Sequence, residues 1–408
     1  MQDIFITRSL ESVLRRAVTE FPAVLLTGPR QSGKTTLLQE LFGQQYRYVS
    51  LEAPDVRIAA VQDPRGFLEQ YSPPVIMDEV QHVPDLFPYI KEKIDADRGR
   101  TGQYLLTGSQ NLLITERVTE SLAGRVAILR LLPLSRREAE RQPLRPLAWE
   151  QSQVPSTELS PHMFGRLWES FLRGGYPELV THPGRDALLW HSSYIQTYLE
   201  RDVRMLRQVG DLTQFQNFLR VLAARSAQLI NLTDIARDLG VAGNTVRAWL
   251  SILEATYQVI VLRPYFSNIG KRLVKTPKVY FTDVGTLCHF IGLRDPKHAA
   301  LGPMGGAILE TAVLSEIFKT LTHRGFTPRI YFWRTLSGSE VDFVVEVAGR
   351  LIPIEVKLSA TPRPSMARSI RSFQRDMGGS VAPGYVVHPG DMQLSLGSSV
   401  TSLPFASL

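Results

Sequence analysis

The chain has 408 residues, 44% of them hydrophobic and 21% charged, which is enough for about two to four domains with cores of their own. Lysines and arginines number 46 against 39 aspartates and glutamates, and the resulting charge of +7 favours a polyanionic partner without naming one. One cysteine, Cys288, excludes an internal disulfide and a Cys-ligated zinc site, and no apolar run approaches the roughly 20 residues of a membrane helix.

Met1–Val13 is interrupted by Asp3, Arg8 and Glu11, so no cleavable leader is expected and a cytoplasmic location is. From Ile4 through Leu10, Val13, Leu14 and Ala17 the apolar residues keep helical spacing and lead to a strand at Ala23–Thr27. The strand runs into Gly28-Pro29-Arg30-Gln31-Ser32-Gly33-Lys34-Thr35-Thr36 and then a helix through Leu37, Leu38 and Leu41. Gly28 and Gly33 let such a loop curl with its N–H groups inward, at a helix N-terminus that favours phosphate. Lys34 is placed to reach β- and γ-phosphates, and the Thr35 hydroxyl to ligate Mg²⁺. The expected cofactors are therefore ATP and Mg²⁺.

Further strands are predicted at Tyr46–Leu51, Pro73–Glu79, Gln103–Ser109 and Val126–Leu131, with helical stretches between them. The first 140 residues thus form β and α units around a parallel sheet, with functional groups at the carboxyl ends of its strands. At one such end, Asp78 would hold Mg²⁺ and Glu79 would polarise the water that attacks the γ-phosphate. At the next, Thr107 and Ser109 could sense the γ-phosphate.

These motifs resemble the prokaryotic AAA-type ATPases whose C-terminal half is a domain of unknown function. The likeness covers Leu26–Thr35, Met77-Asp78-Glu79-Val80-Gln81, Leu106–Ser109, Ser121–Val126, Leu132–Ser135, Gly174-Gly175-Tyr176-Pro177, Tyr198–Asp202 and Tyr280–Gly285. It implies an ATPase module, and it matches Arg125 to an arginine that could meet a γ-phosphate in cis or across a subunit interface. Homo-oligomerisation is left open.

Residues 141–163, rich in Pro, Gln and Ser, read as a linker. Helices follow at Phe164–Leu172, Ala187–Leu206 and Leu212–Arg225, giving a helical lid region over 164–225. Arg201, Arg204 and Arg207 fall along one helix side, where they could meet phosphates or form a solvated face with Glu200 and Asp202. Over 226–290, Thr233–Leu239, Gly240 and a second helix from Asn244 make a helix-turn-helix, and Tyr257–Leu262 reads as a wing. DNA reading would use Asn244, Thr245, Arg247 and Ser251. A lid or packing role is the alternative. Lys271, Arg272, Lys275 and Lys278 offer a denser basic cluster.

Residues 291–408 follow the order α-β-β-β-α-β, with Asp342 on one strand and Glu355-Val356-Lys357 on the next. That resembles the PD-(D/E)XK nuclease core, although Val341 stands where the superfamily's proline would be. The resemblance implies that Asp342 and Glu355 converge on a second Mg²⁺ or Mn²⁺, that Lys357 orients water or stabilises charge at the phosphate, and that Glu310 completes the cluster. The expected fold is α/β: an AAA/RecA-like P-loop domain, a helical and winged-helix middle, and a restriction-endonuclease-like C-terminal domain. The expected function is a Mg²⁺-dependent ATPase acting on DNA, branched substrates of repair or recombination included, with the C-terminal fold cleaving DNA or silent. The alternative is an ATP-driven switch or scaffold for protein partners.

Overall fold

The computed structural model describes residues 5–108, 118, 120–151, 163–198, 211–265, 275–397 and 399–408. The expected α/β architecture is present. Its N-terminal part is a five-stranded parallel sheet ordered β2-β3-β4-β1-β5, from β1 (Ala23–Thr27), β2 (Arg47–Ser50), β3 (Val75–Asp78), β4 (Tyr104–Gly108) and β5 (Val126–Arg130). All five residues of β1 are buried, as befits a strand flanked on both edges and covered on both faces. Successive side chains point to opposite faces, so each strand feeds two cores. Leu25, Met77 and Leu106 pack on one face with Phe87, Ile90 and Ile94, while Leu26, Ile76 and Leu105 meet Leu14, Leu37 and Leu38 on the other.

The rest of the described chain is built on one large further core with smaller clusters beside it. Trp168, Phe218, Trp249, Phe281, Ile308, Phe343, Ile354 and Leu403 all belong to it. This large core draws residues from both sides of 225/226 and of 290/291. Asn231 caps the Leu232–Leu239 helix, accepting from the N–H of Thr233 and of Asp234. Gly240, at φ 67°, turns the chain into the Gly243–Ala255 helix. An antiparallel pair follows, β6 (Val259–Leu262) with β7 (Lys278–Phe281), and Tyr265 N–H donates to Phe332 O at 2.7 Å to tie it to the C-terminal sheet.

That second sheet is mixed. It comprises β8 (Ile330–Arg334), β9 (Glu340–Val347), β10 (Arg350–Val356), β11 (Gly384–His388) and β12 (Val400–Pro404), in the order β12-β11-β10-β9-β8. Pairing is antiparallel from β8 to β10 and parallel from β10 to β12. Helices Gly305–His323 and Arg368–Met377 flank it. Strand β12 is an addition to the sequence reading, and its Pro404 is tolerated because the strand lies at the sheet edge.

Residues 141–151 are irregular but firmly attached. Leu147 and Ala148 are buried in the large core, and Arg145 donates to Ala406 O at 2.8 Å. Beside them Arg137 is buried and joins Glu316 at 2.7 Å and Leu408 O at 2.6 Å. Among the described residues, no helix is long and apolar enough to cross a membrane.

Candidate functional site

The phosphate loop follows from the register of the parallel sheet. β1 delivers the chain to Gly28 at the carboxyl edge, and Gly28 (φ 150°) turns so tightly that a Cβ there would lie 2.0 Å from Leu131 O. Gly33, at φ 91°, forms the N-cap of the Lys34–Phe42 helix, whose first N–H groups take no side-chain cap. Lys34 is buried and folds its ammonium inward, donating to Gly28 O at 3.1 Å and Pro29 O at 2.9 Å. Ser32 Oγ is buried within the loop without a hydrogen-bond partner. Pro29 is buried, Arg30 half-buried, and Gln31 and Thr36 are exposed on the loop's outer side, Gln31 at φ 59°.

Strand β3 brings Asp78 to the same edge. Thr35 Oγ1 donates to Asp78 Oδ1 at 2.9 Å, Tyr48 Oη donates to Oδ2 at 3.0 Å, and Thr107 Oγ1 also donates to Oδ1. Burial, and then the Asp78 charge, pushes the Tyr48 hydroxyl up to about 12, so Tyr48 remains a donor. Glu79 turns at φ 58°, its N–H donating to Thr107 Oγ1 at 3.1 Å, and Gln81 Nε2 donates to its carboxylate. Thr107 thus links both acids to β4. The set fits a magnesium nucleotide: Thr35 and Asp78 present hard oxygen ligands side by side, next to a glycine-lined cradle whose helix N–H groups face phosphate. Ser109 lies outside the described residues.

Arg125 stands away from the phosphate loop of its own chain. It precedes β5, and β5 pairs with β1 from Ala23↔Val126 to Thr27↔Arg130. It therefore stands at the amino-terminal edge, roughly 15 Å of strand from the phosphate loop at about 3.3 Å per residue. There its Nε and Nη2 bind Asp95 at 2.8 and 3.0 Å. It does not reach the loop of its own chain.

Three partners of the site come from distant parts of the chain. Arg8 Nη1 donates to Ser32 O at 2.9 Å and Nη2 to Leu132 O at 2.6 Å, while Nε pairs with Glu138 at 3.1 Å. Tyr257, just before β6, places its hydroxyl 3.2 Å from Thr27 Oγ1, the residue ahead of Gly28. Pro177 Cγ would lie 3.7 Å from a Cβ on Gly33, so the Gly174–Pro177 motif abuts the loop. The same motif meets the Tyr280–Gly285 motif, since Gly175 N–H donates to Asp283 Oδ1 at 2.7 Å. Non-local contact, legible only in three dimensions, unites them.

A second constellation lies in the C-terminal sheet. Glu310, Asp342, Glu355 and Lys357 line one cavity of ≈ 580 Å³, together with Lys278, Arg334 and Glu340. Asp342 Oδ2 accepts from Val356 N–H at 2.8 Å, and Lys357 Nζ donates to Glu355 Oε1 at 2.5 Å. Burial, and then Asp342, raises Glu355 to about 8. Glu310 Oε1 accepts from Tyr280 Oη at 2.6 Å and from Lys278 Nζ at 3.1 Å. Among the described residues no three His, Cys, Asp or Glu side chains are grouped to hold an ion. Lys278 is a correction. Expected on a basic surface, it is buried and paired with Glu310 and, at 2.6 Å, Glu340.

Asn244, Arg247 and Ser251 are exposed and Thr245 half-buried on the Gly243–Ala255 helix, and Lys275 is exposed. Arg201, Arg204, Arg207, Lys271 and Arg272 lie outside the described residues.

A parallel sheet, a glycine loop closed by lysine and an acid pair tied to the neighbouring strand define an AAA-type P-loop ATPase domain. Residues 20–140 match the family model described as AAA domain, and residues 165–297 and 305–408 match two domains of unknown function, DUF8612 and DUF4143. The chain belongs to the family of the uncharacterized proteins Rv2008c of Mycobacterium tuberculosis and Mb2031c of Mycobacterium bovis. Each is 34% identical to it over 399 residues, covering 97% of this chain and 83% of the relative. Among solved structures, a Walker-type ATPase of Pyrococcus abyssi, PABY2304, gives a TM-score of 0.44 at 15% identity over 71% of this chain and 96% of that one. A point variant of RuvB from Thermotoga maritima gives 0.32 at 17%, over 63% and 90%.

Proposed function

We propose that the chain hydrolyses ATP with Mg²⁺ and couples the reaction to action on DNA. The observation that carries the ATPase reading is the hydrogen-bonded set Thr35–Asp78–Thr107–Glu79 beside Lys34 at one sheet edge. Lys34 and the loop N–H groups bind the phosphates, Thr35 and Asp78 hold the metal, and Glu79 orients water. Bound Mg²⁺ supplies charge neutralisation on the phosphates. Thr107 fixes the relative placement of the two acids.

What supports DNA as the partner is the charge of +7, the exposed Asn244, Arg247 and Ser251 on the second helix of a helix-turn-helix, and the carboxylate-lined cavity in the C-terminal sheet. Asp342 and Glu355 on antiparallel neighbours, with Lys357 on the face of Glu355, support a nuclease-like fold, and Lys278 among them favours a silent one. The competing reading is a switch or scaffold for protein partners. A salt titration of duplex, single-stranded and branched DNA binding, with ATP turnover measured on the same samples, separates the two. The DNA reading expects an affinity that falls steeply with salt and turnover that rises with DNA. Absence of binding to all three at low salt contradicts it and leaves the protein-partner reading.

A further inference from the structure

The C-terminal cavity poses a question of charge. Four carboxylates, Glu310, Glu340, Asp342 and Glu355, face three cations, Lys278, Arg334 and Lys357. Two of the cations belong to the same sheet as most of the acids: Arg334 pairs with Glu340 at 3.0 Å, and Lys357 with Glu355 at 2.5 Å. Lys278 comes from another sheet. It is carried by β7, fixed by pairing with β6 and by a bridge to Leu229. From there its Nζ reaches Glu310 at 3.1 Å and Glu340 at 2.6 Å. Tyr280, two residues on and so on the same face, adds its hydroxyl to Glu310. Burial works against the Lys278 charge, yet Glu310, Asp342 and Glu340 outweigh it and hold its pKa above the ordinary value.

One acceptor is left over. Glu355 is 4% exposed, and its Oε2 is buried with no hydrogen-bond partner. A buried carboxylate oxygen that nothing donates to is costly, and what such an atom takes is a proton or a cation. An ammonium group and a hard dication seek the same carboxylate oxygens, and inside one poorly solvated cavity they repel each other.

We propose that Lys278 is an internal counter-ion standing in place of a divalent cation, and that removing it converts the cavity into a divalent-cation site on Asp342 and Glu355. The inference rests on the metal-binding part of the nuclease-like reading and adds a condition to it. With Lys278 present, Glu310 and Glu340 are neutralised from within the fold. Without it, their charge and the free Oε2 of Glu355 face the cavity together.

The test is Mn²⁺ titration of the full chain without nucleotide, followed by electron paramagnetic resonance of the free ion. Lys278→Met is expected to bind one Mn²⁺ at least about tenfold more tightly than wild type, and Lys278→Met with Glu355→Gln to lose that site. Because Lys278→Met strands buried acids, Lys278→Met with Glu310→Gln serves as a second variant. It removes one charge of each sign, a change that buried pairs tolerate far better, and should show the same gain. Equal, Glu355-dependent Mn²⁺ affinity in wild type and the lysine variants overturns the counter-ion role but leaves the metal site standing. No Glu355-dependent Mn²⁺ binding in any folded lysine variant overturns both.

Discussion

The Arg8 guanidinium lies 2.9 Å from the Ser32 carbonyl, and the same group pairs with Glu138 at 3.1 Å. Arg8 therefore joins the phosphate loop to the seam between the two halves. Glu138 is wholly buried there and accepts from His323 Nδ1 at 3.0 Å. Burial alone would raise the Glu138 carboxyl, but Arg8, His323 and the Ser135 N–H together outweigh it and hold the group well below the usual carboxylate range. Replacing Arg8 with Met strands that carboxylate, and should cost about 3–5 kcal/mol of stability by urea denaturation. A loss below about 1 kcal/mol would show that Glu138 is satisfied without Arg8.

His323 makes the same seam sensitive to pH. Leu132 N–H donates to its Nε2 at 3.0 Å, so that nitrogen is unprotonated and Nδ1–H points to Glu138. Burial holds its pKa below the ordinary 6.5, against the opposing pull of Glu138. As pH falls through 6.5 the unfolded chain takes up a proton that the folded chain refuses, so this contribution is full above 6.5 and is lost below it. The stability difference between wild type and His323→Gln should therefore shrink from pH 7.5 to pH 5.5. A gap that widens on acidification contradicts the neutral, buried assignment.

Gly285 is where the Gly174–Pro177 and Tyr280–Gly285 motifs touch. A Cβ on it would lie 2.7 Å from both Gly174 N and His191 Nε2. Since one contact is backbone, Gly285→Ala should destabilise by about 1–3 kcal/mol through overpacking. Denaturant midpoints check this, with Gly306→Ala, whose Cβ would meet nothing within 4 Å, as the tolerated comparison.

Arg125 offers a different kind of test. Held by Asp95 at the far edge of the sheet, it has no path to the nucleotide of its own chain. Arg125→Ala should bind ATP with wild-type affinity in equilibrium titration. Loss of binding by the dilute, monomeric variant would contradict its placement.

Much of this arrangement was legible in the sequence because its signals are local. The run Val24–Thr35 carries strand, loop and helix in one stretch, and Asp342, Glu355 and Lys357 share a face through period-two alternation. Lys278 misled because a charged residue in a polar stretch looks the same whether solvated or paired. The partners of Arg8 and Tyr257 lie 130 and 230 residues away, so nothing near them in the chain announces their role. Strand β12 was missed because five residues of mixed polarity ending in proline carry little periodicity.

The central claim is that one sheet edge binds and hydrolyses ATP, and turnover with parallel nucleotide-binding titrations in wild type, Lys34→Ala and Glu79→Gln tests it most directly. Wild type should hydrolyse ATP in Mg²⁺. Lys34→Ala should lose turnover, and Glu79→Gln should keep nucleotide binding while losing at least about a hundredfold in turnover. Undiminished hydrolysis by purified Lys34→Ala would contradict the account.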